Sequence, residues 1–176
     1  MNSKLVPLIS ADDIADAVQT LAQEIDQDYD GQPLVVVTVL KGAFIFTADL
    51  IRKIKTPISR VELIRLSSYG AGTTSSGQVK VLSDLAPEAI AHQHVLLVED
   101  IVDTGRSTST AIALLKQHHP ASIKLCSLLD KPSRRIVPIQ IDYLGFAVED
   151  RFVIGYGLDW DERYRELPGI YGVEGE

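Results

Sequence analysis

The chain has 176 residues, of which 45% are hydrophobic and 23% are charged, and its net charge is −7. This length fits one well-filled core and is too short for two ordinary domains, so we expect a single domain over residues 1–176. The acidic balance disfavours nonspecific binding to nucleic acid, and no apolar run approaches the roughly 20 residues that a transmembrane helix needs.

The first third of the chain predicts a helix, a buried strand and a second helix. Ser10 and Asp13 form a capping box, after which apolar residues recur at helical spacing to about Tyr29. The β-branched apolar run at 34–40 is typical of a strand buried on both faces of a parallel sheet. A second helix is predicted over about 43–53.

Two predicted strands, at 61–66 and 78–82, flank a loop of glycine, serine and threonine residues at 70–77. Such a loop has almost nothing to bury, which suits either a linker between domains or a mobile loop over an active site. A linker would separate two domains, and both flanks here belong to one short α/β unit. We therefore interpret about 67–78 as a flap that closes over the reacting groups.

The most informative segment is 95–110, in which an apolar strand ends on acids and a glycine turn leads into a hydroxyl-rich helix start. It reads Val-Leu-Leu-Val-Glu-Asp-Ile-Val-Asp-Thr-Gly-Arg-Ser-Thr-Ser-Thr. The first turn of a helix has unpaired N–H donors, so 104–108 suits a bound phosphate. Glu99, Asp100 and Asp103 would repel a phosphate, and we expect them to meet hydroxyl groups, a metal ion or a transferable proton instead.

Two other phosphate-binding loops are excluded for this segment. Asp100 stands where the motif G-x-x-x-x-G-K-[ST] requires its first glycine, and no G-x-G-x-x-G opens a helix. An ordinary ATPase or dinucleotide site is therefore not predicted. A solvated strand-to-helix turn is the remaining alternative for the Gly-Arg-Ser fragment alone.

The rest of the chain continues the alternation of strands and helices. A helix is predicted at 107–118 and a strand at 123–129, which together indicate a doubly wound, mainly parallel sheet flanked by helices. Ligands of such sheets bind at the carboxyl ends of strands, where the loops at Lys41, Glu99 and Asp130 emerge. From Tyr143 onward we predict two further short strands. The segment at about 150–176, with the N-terminus, would form a small hood over the site.

Cysteine and histidine give weak signals. Cys126 is the chain's one cysteine, so an internal disulfide is impossible, and its apolar flanks predict a buried strand position. With a mixed segment at the N-terminus rather than a signal-peptide core, this favours a cytoplasmic protein. No catalytic or metal-binding pattern includes the histidines, and we predict surface positions for His92, His94, His118 and His119.

The segment 95–110 closely resembles the phosphoribosyl-pyrophosphate (PRPP) motif of the type I phosphoribosyltransferases. The resemblance implies that Glu99 and Asp100 face the ribose hydroxyls. It also implies that the 5′-phosphate is held by Asp103, Thr104, Gly105, Arg106, Ser107 and Thr108. Lysine or an uncharged residue is commoner at position 106 in this family, so the role of the Arg106 side chain stays open.

A second match, at 151–165, is to the hypoxanthine-guanine type of this family. By that resemblance Phe152 stacks on the purine, Val153 reads the base edge through its backbone, Asp159 ligates Mg²⁺ and Arg165 contacts pyrophosphate. The resemblance extends to three further elements. Lys131 would donate to the exocyclic oxygen of a 6-oxopurine, and Ser68 and Tyr69 would belong to the flap. Lys41 and Gly42 would form a pyrophosphate loop, in which the Leu-Lys peptide bond is often cis in this family.

The implied enzyme is a bacterial-type purine salvage transferase that joins hypoxanthine or guanine to PRPP and forms IMP or GMP with pyrophosphate. The resemblance covers about 34–167 and implies Mg²⁺ held with Asp159, Glu99 and Asp100, and a homo-oligomer, either a dimer or a tetramer. We assign Asp103 as the general base for purine N7. Sequence does not rank hypoxanthine, guanine and xanthine.

Two other functions are weighed against this one. A regulator of the same fold would bind PRPP and nucleic acid without catalysis, but it would be expected to show a basic face and to lose purine contacts. This chain is acidic and retains Asp103, Lys131, Phe152 and Asp159. A phosphoribosyltransferase for adenine, uracil or orotate is disfavoured by Lys131 and by the segment from Phe152 to Arg165.

Overall fold

The computed structural model describes residues 4–68, 79–83 and 85–174. Most of the predicted flap, including Tyr69, lies outside these residues, as does the side chain of Ser68, so the flap stays a prediction.

The chain forms nine strands and three helices within the described ranges. The strands are β1 (Lys4–Ile9), β2 (Leu34–Leu40), β3 (Ile58–Ser68), β4 (Val79–Ser83), β5 (His94–Val102), β6 (Ser122–Asp130), β7 (Tyr143–Ala147), β8 (Val153–Ile154) and β9 (Ile170–Glu174). The helices are α1 (Ala11–Tyr29), α2 (Phe44–Ile51) and α3 (Arg106–Lys116), with short 3₁₀ turns at Pro87–Ala89 and Pro132–Arg134.

A six-stranded sheet forms the centre of the fold, in the order β4-β3-β2-β5-β6-β7. The pairs among β3, β2, β5, β6 and β7 are parallel, and β4 pairs antiparallel with β3 at the edge. This arrangement confirms the predicted doubly wound, mainly parallel sheet. The central strand β2 is almost wholly apolar because helices cover both of its faces.

Two hydrophobic clusters fill the two sides of this sheet. On one side, Val36 of β2 packs in a cluster with Ile25 of α1 and Phe46 of α2. On the other side, Val35 shares a cluster with Leu115 of α3. The alternation of neighbouring β2 residues between the two clusters follows from the two-residue period of a strand. Cys126 is buried in the first cluster, as predicted.

A separate three-stranded antiparallel sheet, β1-β9-β8, joins the two ends of the chain. The prediction of two short strands from Tyr143 onward was wrong, because three strands, β7, β8 and β9, form there. The sequence reading also missed β1. Its short segment contains Pro7, and its partner β9 lies at the opposite end of the chain, with Lys4 paired to Glu174.

Most of the predicted boundaries hold within a few residues. The capping box at Ser10 is present and α1 ends at Tyr29, as expected. Helix α2 is shorter than predicted at both ends, whereas β5 runs on to Val102 and so carries the two acids inside the strand. No helix in the described ranges has the length and apolar character needed to cross a membrane.

Candidate active site

The predicted ligand loops meet at the carboxyl edge of the six-stranded sheet. A cavity of about 260 Å³ opens there, lined by Gly42 after β2, by Glu99 and Asp100 of β5, and by the turn residues from Asp103 to Thr108 other than Arg106. A larger cavity of about 630 Å³ lies between α1, α2 and Glu166. It contains none of the predicted site residues, so its size alone does not make it the candidate site.

The turn between β5 and α3 is shaped by Gly105. This residue caps α3 with φ +83°, and a Cβ there would lie 2.5 Å from the carbonyl oxygen of Val137 and 2.9 Å from Ile139 Cγ1. Glycine avoids both the conformational strain and the overlap. Because α3 begins at Arg106, the N–H groups of its first turn have no partners within the helix and suit an anion.

Glu99 and Asp100 lie at the base of this turn. Glu99 is buried and accepts a hydrogen bond from Thr108 Oγ1 at 3.3 Å. Burial raises the pKa of the Glu99 carboxyl well above its ordinary value, and the nearby Asp100 raises it further. Burial also raises the pKa of Asp100 to about 6. These carboxyl groups therefore favour a ligand that donates hydrogen bonds or carries positive charge.

The loop after β2 packs directly against Asp100. The Leu40–Lys41 peptide bond is cis, as the family resemblance implies. A Cβ on Gly42 would overlap the Asp100 carboxyl group, and a Cβ on Gly157, where φ is +102°, would overlap the Gly42 carbonyl oxygen. Gly42 is thus the point at which three separate segments of the chain meet.

Asp103 and Lys131 form the next part of the site. Lys131 follows β6 and is only 6% exposed, and its backbone N–H donates to the carbonyl oxygen of Val102 at 3.0 Å. Burial lowers the pKa of the Lys131 ammonium, and Asp103 opposes that change. Arg134 Nε lies 2.8 Å from Asp103 Oδ1, and Arg134 Nη1 lies 3.2 Å from Asp150 Oδ1.

Phe152 and Val153 differ in exposure. Phe152 is 42% exposed, and its ring meets Trp160 edge-to-face, with ring centroids 6.2 Å apart. It therefore keeps a surface on which a flat ligand can stack. Val153 is buried in β8, so its backbone rather than its side chain is the group suited to reading a base edge.

Four charged residues form what we call the paired-charge cluster: Lys41, Asp159, Glu162 and Arg165. Glu162 Oε2 lies 2.8 Å from Lys41 Nζ and 3.2 Å from Arg165 Nη2. Arg165 Nη2 also lies 2.8 Å from Asp159 Oδ1, while Arg165 Nη1 donates to the carbonyl oxygen of Gly157 at 2.7 Å. The structure thus brings together the two cations predicted to contact pyrophosphate and the acid predicted to ligate a metal.

Comparison with known proteins shows the family to which the chain belongs. The family model described as a phosphoribosyl transferase domain matches residues 10–161. The chain belongs to this family. A hypoxanthine-guanine phosphoribosyltransferase of Aquifex aeolicus is 45% identical over 172 residues, which cover 97% of this chain and 96% of that protein.

Two further relatives extend the comparison. The bifunctional protein TilS/HprT of Listeria innocua is 45% identical over 163 residues, covering 93% of this chain, which spans about a quarter of that longer protein. The crystal structure of a hypoxanthine-guanine phosphoribosyltransferase from Bacillus anthracis superimposes with a TM-score of 0.88 at 42% identity, covering 95% of this chain and 97% of the other.

The candidate site offers oxygen ligands that suit Mg²⁺, but its described residues form no preassembled metal site. Among the described residues, no group of three or more histidine, cysteine or acidic side chains is close enough to hold an ion. Asp159 and Asp100 are near enough for Asp159 to raise the pKa of Asp100. Mg²⁺ commonly takes one or two carboxylates together with phosphate oxygens of a substrate, and these residues fit that mode of binding.

The sequence analysis predicted no role for three residues of this site. Arg134 and Glu162 have the ion pairs described above, and Arg135 Nη1 donates to the carbonyl oxygen of Asp103 at 2.9 Å while its Nη2 pairs with Asp130. Arg134 and Arg135 could have been predicted, because two adjacent arginines follow closely on Lys131 in the sequence. Glu162 gave no such signal, because its partner Lys41 is 121 positions away.

Proposed function

We propose that this chain is a hypoxanthine-guanine phosphoribosyltransferase. It transfers the 5-phosphoribosyl group of PRPP to N9 of hypoxanthine or guanine and releases pyrophosphate. The near full-length similarity to the Aquifex enzyme supports the activity. The observation that carries the choice of a 6-oxopurine is the buried Lys131 beside Asp103, because these residues offer a donor for O6 and an acceptor for N7–H.

The β5–α3 segment, residues 99–108, is the proposed PRPP site. Glu99 and Asp100 accept hydrogen bonds from the ribose hydroxyls, and this contact offsets part of the cost of burying their charge. The 5′-phosphate lies at the start of α3 against the backbone N–H groups of the turn. Pyrophosphate extends toward Lys41, Gly42 and Arg165.

The purine binds between the 3₁₀ turn after Lys131 and the segment at Phe152. Phe152 stacks on the base, the Val153 backbone reads its edge, and the Lys131 ammonium donates to O6. As the bond from the ribose C1′ to pyrophosphate breaks, positive charge develops on the sugar and the base loses its N7 proton to Asp103. Arg134 orients the Asp103 carboxylate and competes with the base for Oδ1.

Mg²⁺ belongs to this proposal as a partner of PRPP. Asp159 would hold it, with Glu99 and Asp100 on the ribose side. When bound, the ion would neutralise charge on the departing pyrophosphate. The protein's own contribution is to keep Asp159 in place, which the contacts from Arg165 and from the Glu162 backbone N–H support.

We also propose a cytoplasmic, single-domain protein that assembles as a homo-oligomer, either a dimer or a tetramer. Phe44 of α2 and Val61 and Leu63 of β3 are exposed although they are large and apolar. Val61 and Leu63 share one face of β3, and Val61 lies in register with Val36, on the side covered by α2. Such an apolar patch suits the interface between two copies.

The experiment that tests the enzyme proposal is steady-state kinetics with hypoxanthine, guanine and xanthine at fixed PRPP and Mg²⁺, for the wild type and Asp103→Asn. Loss of a general base usually lowers turnover by roughly 10²–10⁴. Asp150→Asn is the matched control, because it removes another acid paired with Arg134 and should leave turnover within about threefold.

Two results would contradict this proposal. Turnover of Asp103→Asn within about threefold of the wild type would exclude Asp103 as the base. Salt-dependent RNA binding without release of pyrophosphate would favour the regulator. The Aquifex and Bacillus relatives are both named as transferases, which favours the enzyme.

A further inference from the structure

The two cations of the proposed pyrophosphate subsite already share an anion from the protein. Glu162 Oε2 accepts a hydrogen bond from Lys41 Nζ at 2.8 Å and another from Arg165 Nη2 at 3.2 Å. One carboxylate oxygen therefore lies between two cations that are far apart in the sequence. Two cations around one anionic oxygen is also how a phosphate oxygen is commonly bound.

We propose that Glu162 is a displaceable counter-anion of the pyrophosphate subsite. Its carboxylate balances Lys41 and Arg165 until the diphosphate of PRPP replaces it, so that Glu162 sets the affinity for the diphosphate. This inference rests on the proposed function, since it takes Lys41 and Arg165 as the pyrophosphate contacts. It goes beyond that function because it assigns a role to an acid that would not itself touch the reacting atoms.

The geometry allows the Glu162 side chain to move while its backbone stays in place. The side chain is 64% exposed, so it can rotate into solvent without opening a cavity. The Glu162 backbone N–H donates to Asp159 Oδ2 at 2.9 Å, and Arg165 is held separately by the carbonyl oxygen of Gly157. Arg165 and the proposed metal ligand Asp159 would therefore keep their positions after the carboxylate leaves, and the Lys41 ammonium would be free to follow the incoming anion.

The strength of the two ion pairs suits displacement. Lys41 is 44% exposed, and ion pairs between exposed side chains are worth little because water and salt screen them. A diphosphate carries more charge than a carboxylate and offers more acceptor oxygens, so it competes well for the same cations. A carboxylate at this position should therefore lower affinity for pyrophosphate without preventing binding.

The test is calorimetric titration of Mg²⁺-pyrophosphate into the full-length wild type, Glu162→Gln and Asp161→Asn. Glutamine keeps the shape of Glu162 and removes its charge, so we expect pyrophosphate to bind about two- to tenfold more tightly, in line with the small worth of two exposed ion pairs. Asp161→Asn removes one unit of charge at the neighbouring residue and should change the affinity by less than about twofold. Thermal unfolding of each variant verifies that it is folded.

The outcomes separate this inference from the proposed function. Unchanged or weaker pyrophosphate binding by Glu162→Gln, with normal binding by the wild type, would overturn the counter-anion role and leave the enzyme proposal intact. An equal gain in Asp161→Asn would also overturn it, because the effect would then come from net charge alone. If the wild type does not bind Mg²⁺-pyrophosphate, the pyrophosphate subsite itself is wrong and the proposed function fails with it.

Discussion

The β5–α3 segment and the paired-charge cluster both carry acids at the same edge of the sheet, but their charges are balanced differently. Across residues 4–68, 79–83 and 85–174, neither Glu99 nor Asp100 forms an ion pair. Burial raises the pKa of both, although Arg165 is near enough to oppose this change at Asp100. Asp159 and Glu162, in contrast, each contact Arg165. The first region leaves charge for a ligand to balance, whereas the second balances its own.

This difference predicts the free-energy cost of ligand binding in each region. Desolvated carboxyl groups without an ion-pair partner lower the stability of the folded protein, and a ligand that donates to them recovers part of that free energy. In the paired-charge cluster a ligand must first separate ion pairs, which reduces its net affinity. We therefore expect substitutions in the β5–α3 segment to change stability and binding together, and substitutions in the cluster to change mainly binding.

Among the substitutions that test this comparison, Gly42→Ala should have the largest effect, because it alters the contact between the two regions. The new Cβ would overlap the Asp100 carboxyl group, so Asp100 must rotate away from its position or the Lys41 loop must move. A displacement of about 1 Å near reacting groups can cost about 10²-fold, and we expect kcat/KM for PRPP to fall by that much. Overpacking should also cost about 1–3 kcal/mol of stability.

The control for this variant is Gly31→Ala, in the turn after α1. A Cβ there would have no atom within 4 Å, and at a φ of +77° alanine would cost stability through backbone strain alone. The control should lower the free energy of unfolding but keep kcat/KM within about twofold, because none of the proposed site residues lies in this turn. Near-normal kinetics in Gly42→Ala would mean that the contact with Asp100 is unimportant, and the two regions would then act independently.

Asp100→Asn, in the β5–α3 segment, should raise the stability of the protein and lower its affinity for PRPP. Hydrogen bonds to charged groups are worth about 1.5–3 kcal/mol, so we expect the Kd for Mg²⁺-PRPP to rise about 10- to 100-fold, as measured by calorimetry. The free energy of unfolding should rise at neutral pH, because the variant no longer carries a charge that the folded structure disfavours. An increase in stability together with a loss of affinity is what we expect of an acid that is kept for ligand binding at a cost in stability.

The pH dependence of this stabilisation follows from the raised pKa of Asp100. The folded state binds the Asp100 proton more tightly than the unfolded chain does, so ionisation costs the wild type stability as pH rises from about 4 to about 6. The advantage of Asp100→Asn should be absent below about pH 4 and should reach about 1–3 kcal/mol above about pH 6. A constant difference in urea unfolding across this range would show that Asp100 is not the group responsible.

The same contrast explains how much could be predicted from the sequence. The β5–α3 segment is continuous, so its apolar strand, its acids and its glycine turn appear in the order in which they act. The capping box of α1 and the buried run of β2 are local in the same way, and the structure confirms both. Local patterns of this kind report backbone conformation directly.

Features that depend on distant residues were the ones missed. Strand β1 has no strong pattern of its own and forms because β9 supplies its hydrogen-bond partners. Glu162 acquires its role only when the fold brings Lys41 beside it, and the contact of Arg134 with Asp103 likewise depends on the turn after β6. Charge compensation is a property of the folded surface, so sequence spacing alone does not reveal it.

The smallest expected effect gives the most direct test of the comparison between the two regions. Lys41→Gln removes one exposed ion pair and should change the free energy of unfolding by less than about 0.5 kcal/mol. Thr108→Val leaves the buried Glu99 carboxyl without its hydrogen-bond donor and should cost about 1–3 kcal/mol. Urea unfolding at pH 7 measures both values. Equal losses would mean that the paired-charge cluster stabilises the fold as much as the buried segment does, and the distinction between them would fail.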